Sequence, residues 1–151
     1  MIIRFNLNGV EKEVNIKPNE YLLDMLRRIG IKSVKKGCDA SSCGVCTVLV
    51  DEKPVLSCSV LAARVNGHVV TTVEGIQAEA AKLSDCFSSE GADQCGYCNA
   101  AYALMVHALK KENPNPSDED IKKYLVGNLC RCTGYQSQQK AVKKYLGGDK
   151  Q

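Results

Sequence analysis

The 151-residue chain is short of several things that would point to common functions. It has no long run of one charge: 20 Lys and Arg stand against 17 Asp and Glu, leaving a net charge of +3. The lysines are scattered, which argues against a nucleic-acid or membrane-surface patch. No apolar stretch approaches the length of a membrane span. The opening residues, MIIRFNLNGVEKEV, alternate and lack the apolar core of a secretory signal. A cytoplasmic protein is expected, carried elsewhere only in complex with a partner. Histidine is scarce too, with His68 in a turn and His107 on a helix. Neither has an acidic or thiol neighbour in the pattern, so both read as structural or solvated. Lys35–Lys36 and Lys143–Lys144 read as solvated faces.

What the chain has instead is nine cysteines. In a reducing compartment, clustered thiols serve metals or redox chemistry more often than disulfides. The odd count would also leave a disulfide framework with one thiol over. Cys38, Cys43 and Cys46 form C-x4-C-x2-C, and Cys58 follows. That is the plant-type spacing for a [2Fe–2S] cluster. Zinc is the competing reading, but zinc sites are usually built from two C-x2–4-C pairs. A second set combines Cys95 and Cys98 in QCGYC with Cys130 and Cys132 in NLCRCTGY. Its C-x-C pair is too tight for most zinc knuckles, which again favours iron–sulfur. Cys86 falls outside both sets and reads as a small buried hydrophobe.

Periodicity divides the chain near residue 75. Ile3, Phe5 and Leu7 alternate, Asn8-Gly9 signals a type I′ turn, and Val10 to Ile16 alternate again, which predicts a β-hairpin. Asn19 is the expected cap of a short helix bearing Leu22, Leu23, Leu26 and Ile29 and closed by Gly30. CTVLV reads as a strand, residues 51–54 as a turn, and further strands run towards Cys58 and through HVVTTV. This describes a β-grasp. Beyond Gln77 the pattern is helical, with helices expected over 78–87, 98–111, from 117 to 127, and over 134–146. NPNP at 113–116 breaks the second from the third, which opens on a capping box from Ser117 to Asp120. Both cysteine pairs of the second set are expected at helix N-termini, whose partial positive charge suits an anionic cluster. The fold class expected is α+β: a β-grasp domain over 1–75 and a four-helix bundle over 76–151.

GCDASSCGVCTV, PVLSC, TTVEG, DQCGYC and GNLCRCTGY follow in that order along nearly the whole chain. With them it resembles the small iron–sulfur subunit of the molybdenum hydroxylases, the xanthine dehydrogenase and carbon monoxide dehydrogenase family. The resemblance implies a plant-type ferredoxin-like domain, a helical [2Fe–2S] domain and an electron-transfer role with no substrate chemistry on this chain. Electrons would pass from a molybdopterin cofactor on a large partner subunit to the cluster of Cys95, Cys98, Cys130 and Cys132. They would continue to the cluster of Cys38, Cys43, Cys46 and Cys58, then to FAD on a further subunit. It also implies that Gln94 and Cys132 lie against the pterin. Arg131 would orient its loop, and Tyr97 and Tyr135 would shield the cluster. The chain departs from the family at 99–102, where Asn-Ala-Ala-Tyr replaces Thr-Pro-Gly-Met, and at Ser41, where glycine is common. Two other readings stand beside this one: a freestanding two-cluster electron carrier, and a zinc-bound scaffold. Substrate choice would reside in the large subunit.

Overall fold

In the computed structural model, which describes residues 1–147, the first half is a five-stranded mixed sheet with one helix and the second half is helical. The last four residues of the expected second domain lie outside the described residues. Strands β1 (Ile2–Leu7) and β2 (Val10–Asn15) pair antiparallel through a two-residue turn. Asn8 and Gly9 both take positive φ there, 54° and 85°, as the Asn-Gly pair implies for type I′. Helix α1 (Leu22–Arg28) follows. Its N-cap is Tyr21 with no side-chain cap bond, so Asn19 does not cap it, and Ile29 falls just outside its C-terminus. The entry is held instead by Glu20, whose carboxylate accepts from Lys17 N–H and from the Arg28 guanidinium.

Strands β3 (Thr47–Val50), β4 (Lys53–Leu56) and β5 (Val69–Thr71) complete the sheet in the order β2-β1-β5-β3-β4. Pro54 lies inside β4 rather than in the preceding turn, and Asp51 and Glu52 supply that turn with positive φ. Proline is tolerated because β4 is an edge strand, where a missing N–H need not break a ladder. β4 ends at Leu56, and Cys58 sits on the single 3-10 turn that follows, Ser57–Ser59.

Helices α2 (Gln77–Ser89), α3 (Asn99–Glu112), α4 (Asp118–Leu125) and α5 (Gln136–Gly147) make up the second half. The capping box at Ser117 forms as its sequence implies, Ser117 and Asp120 bonding reciprocally. Residues 99–102 form the first turn of α3. Tyr102 goes into the core, edge-on to Phe87 with ring centroids 5.6 Å apart.

Two apolar cores result. One joins Ile3, Phe5, Leu22, Met25, Leu26 and Val48 between the sheet and α1. The other joins Leu83, Phe87, Tyr102, Val106, Ile121 and Val142 among the helices. Strand β3 belongs to both, since Val48 faces the first core and Leu49 the second. That two-sided burial explains why TVLV is apolar without alternation.

Candidate iron–sulfur sites

All nine cysteines are free thiols. Eight of them meet in four side-chain pairs: Cys38 with Cys43, Cys46 with Cys58, Cys95 with Cys132, and Cys98 with Cys130. The Cys95 and Cys132 sulfurs are 3.5 Å apart. Among the described residues, no three His, Cys, Asp or Glu side chains converge on a single ion-sized point. Sulfurs in two separated pairs are the layout of a two-iron cluster, in which each iron takes two thiolates, whereas zinc asks for four donors around one centre.

The loop from Gly37 to Cys46 turns its backbone amides towards sulfur. Amides of Cys43, Ser42 and Ala40 donate to Cys38 and bring its thiol down to about 6. A Cβ on Gly37 would stand 3.0 Å from Cys43 Sγ, so the close backbone approach there depends on glycine. Ser41 adopts φ 51°, the left-handed conformation, and its hydroxyl lies 3.5 Å from Cys58 Sγ and 2.9 Å from Ser59 Oγ. The serine therefore takes the backbone angle a glycine would and adds a polar contact to the sulfur. Burial raises Cys46 and Cys98 to about 11. In every pair one thiol lies below its ordinary range and the other above it, as two thiols sharing one proton do.

The second quartet is assembled from two loops. Cys98 is the N-cap of α3, in keeping with a thiol at a helix start, and Asn99 Nδ2 donates to Asp93 Oδ1 at 2.9 Å to close the loop before it. Cys130 and Cys132 do not open α5: Thr133, Gly134 and Tyr135 intervene, with Tyr135 at φ 69°. The pair therefore stands ahead of the helix rather than at its first turn. One hydroxyl reaches a sulfur of this pair, Thr133 Oγ1 lying 3.3 Å from Cys130 Sγ, while Tyr135 Oη accepts from Cys130 N–H at 3.2 Å.

Cys95 and Cys132 are exposed, while Cys98 is buried and packs with Cys43 and Val45, and Cys38 and Cys130 adjoin them. A cavity of about 400 Å³ is lined by Cys38, Cys43 and all four cysteines of the second set. Tyr97, Arg131 and Tyr135 line it too. Gln94 is exposed beside Cys95, with its amide donating to Gly91 O at 2.9 Å. Lys35 is not simply solvated: its ammonium reaches the Gly96 and Tyr97 carbonyls and lies over the Tyr97 ring. Lys36 pairs with Asp39, Lys143 with Asp118 and Lys144 with Glu90. His68 does have an acidic partner, Asp51 Oδ2 at 2.6 Å from Nδ1, supplied by the neighbouring turn and invisible in the linear pattern. Cys86 is half-buried against the helical core, clear of both quartets.

Sequence reading passed over Gln138, which is fully buried and donates to Cys98 Sγ. Its signal was available: Gln138 stands on the stripe of Ala141, Val142 and Tyr145, where an apolar residue is expected.

Two family models match the chain, a 2Fe-2S iron-sulfur cluster binding domain over residues 5–70 and a [2Fe-2S] binding domain over 72–143. The chain is 44% identical over 145 residues to the nicotinate dehydrogenase small FeS subunit of Eubacterium barkeri, covering 93% of this chain and 92% of that one. To the xanthine dehydrogenase iron-sulfur-binding subunit of Escherichia coli O157:H7 it is 40% identical over 139 residues, with 89% and 87% covered. A chain of quinoline 2-oxidoreductase from Pseudomonas putida 86 superposes with a TM-score of 0.90 at 35% identity, covering 98% of this chain and 94% of that one. With its paired thiols and both matching domains, the chain belongs to the [2Fe–2S] iron–sulfur subunits of the molybdenum hydroxylase family.

Proposed function

We propose that this chain is the electron-transfer subunit of a heteromeric, cytoplasmic molybdenum hydroxylase. Its ligands are Cys38, Cys43, Cys46 and Cys58 for one [2Fe–2S] cluster, and Cys95, Cys98, Cys130 and Cys132 for the other. When bound, each cluster supplies a site that takes up and releases one electron. The first 75 residues act as a plant-type ferredoxin-like β-grasp domain and the remainder, 76–151, as a four-helix cluster domain.

The observation that carries this reading is the arrangement of the sulfur pairs. The exposed pair, Cys95 and Cys132, stands beside Gln94 at the surface, and the inner pair, Cys98 and Cys130, adjoins Cys43 and Cys38. Such an order has one end open to a partner and the other continuous with the first quartet. In the proposed complex the open end meets a molybdopterin cofactor on a large subunit, with Gln94 and Cys132 at the contact. Beyond the first quartet, Cys58 borders a cleft with Tyr21, Asp24 and Asp39, where an FAD-bearing subunit would accept electrons. The relatives' names point to nicotinate and xanthine as the kind of heteroaromatic substrate that the large subunit of such a complex hydroxylates.

Low-temperature EPR of the anaerobically reduced protein, with spin quantitation and iron analysis, tests the reading. Two distinct signals, each near one spin per chain, are expected. A colourless protein holding stoichiometric zinc would overturn it. Purification of the native complex with molybdenum and flavin tests the partners, and a chain that elutes alone argues for a freestanding carrier.

A further inference from the structure

Gln138 sits on the buried face of α5, one turn before Ala141 and Val142, and is 0% exposed. A primary amide in such a place is costly unless both of its ends are bonded. They are: Nε2 lies 3.8 Å from Cys98 Sγ, and Oε1 lies 3.1 Å from Thr133 Oγ1. The same hydroxyl is 3.3 Å from Cys130 Sγ. The amide orientation follows from the chemistry. Turned the other way, its oxygen would face a thiolate and no proton would lie between them. Cys98 and Cys130 are the inner sulfur pair, so one polar couple, Gln138 and Thr133, stands directly behind it.

We propose that Gln138, together with Thr133, is a positioning residue for the second cluster, donating hydrogen bonds to its inner thiolates and thereby raising its reduction potential. This inference rests on the reading of that quartet as a [2Fe–2S] site. Reduction adds negative charge that is shared by the sulfurs, so a donor aimed at them stabilises the reduced state more than the oxidised one. The effect acts through Cys98 and Cys130 and leaves the first quartet untouched. The two donors also compensate for each other. If Gln138 alone is lost, Thr133 no longer has its amide acceptor and turns its proton wholly to Cys130.

The test is therefore the double variant Gln138→Leu with Thr133→Val in the full chain, followed by EPR-monitored potentiometry. The second cluster's midpoint is expected to fall by at least a tenfold weakening of reduction, about 59 mV for one electron, while the first cluster's midpoint stays in place. Full spin for both clusters with unmoved midpoints would overturn the proposal. Should the variant fail to assemble its second cluster, the unaltered chain labelled with 15N only in glutamine side chains gives an independent reading. Pulsed EPR of its reduced second cluster is expected to show a coupled 15N that persists in Gln94→Ala, and absence of that coupling overturns the proposal. A wild-type protein with no second-cluster signal at all would instead sink the [2Fe–2S] reading on which it rests.

Discussion

Gly44 holds φ 72°, and a Cβ there would stand 2.3 Å from the Gly127 carbonyl oxygen. It combines left-handed strain with a backbone clash between the two halves. Gly44→Ala is therefore expected to cost about 2–5 kcal/mol in chemical denaturation. Gly91 supplies the control, since it has φ 67° with nothing within 4 Å of the added Cβ. Gly91→Ala should cost only about 1 kcal/mol of backbone strain, and equal losses at the two sites would refute the close approach at Gly44. Cys86 makes the opposite point. Half-buried and clear of both quartets, it should become alanine with full iron retained and a midpoint shift worth about 1 kcal/mol or less. Iron loss in Cys86→Ala would place it in a site. At this scale the cysteine spacings were legible in the sequence, because a loop that wraps a cluster has few ways to present its thiols. The closeness of Gly44 to Gly127 was not, since residues 83 positions apart carry no linear mark of their contact. Gln138 lay between these cases: a polar residue on an apolar stripe was visible, but its sulfur partner was not.

Local chemistry was most legible in the elements that depend on it. Asn8-Gly9 forced the turn it implied, and Ser117 with Asp120 forms the capping box its spacing implied. Asn19 failed as a cap because the chain runs on through the Glu20 ion pair to Tyr21, whose bridge to Leu61 sets where α1 begins. Tertiary pairing displaced the local preference there. The expected start of α5 failed similarly, since the chain first turns through Thr133 to Tyr135, setting the Thr133 hydroxyl at Cys130 Sγ and the Tyr135 hydroxyl at Cys130 N–H. The capping box yields a test with a sign. Ser117 donates to Asp120 through both its hydroxyl and its amide, holding that carboxyl below its usual range. A depressed folded pKa contributes stability that is fully present above the ordinary carboxylate value of about 4. That stability is lost as pH falls through the lower folded value. Ser117→Ala should destabilise the chain by about 1 kcal/mol at neutral pH. The gap between its urea midpoint and that of the wild type should narrow below about pH 4. A gap independent of pH would mean that Asp120 takes no part in the cap.

The two halves meet over the stretch that lies between their cysteine sets, and the electron path proposed here depends on that junction. Asn128 is 3% exposed, and its amide donates to Gly44 O at 3.1 Å. Leu129 N–H donates to Cys43 O at 2.8 Å. These bonds seat the segment leading to Cys130 against the loop between Cys43 and Cys46, so hydrogen bonds to that loop's backbone, and not apolar packing alone, hold the quartets at their spacing. The sequence could group the cysteines but could not say which sulfurs adjoin across the junction, because that is settled only when two separately cored halves dock. A surface pair, Lys111 with Glu52, also spans the halves, both side chains largely exposed. Water screens such a pair, so Lys111→Ala should change stability by less than about 1 kcal/mol and leave the clusters' magnetic coupling as it was. Asn128→Ala removes a buried partner of Gly44 O and should cost about 1–3 kcal/mol. It should also weaken the spin–spin splitting in the EPR spectrum of the fully reduced protein, with both signals still at full intensity. Retained splitting in Asn128→Ala would show that the docked cores hold the clusters at their distance without this bond, and the junction's control would then pass to Leu129 and the Gly44 contact with Gly127.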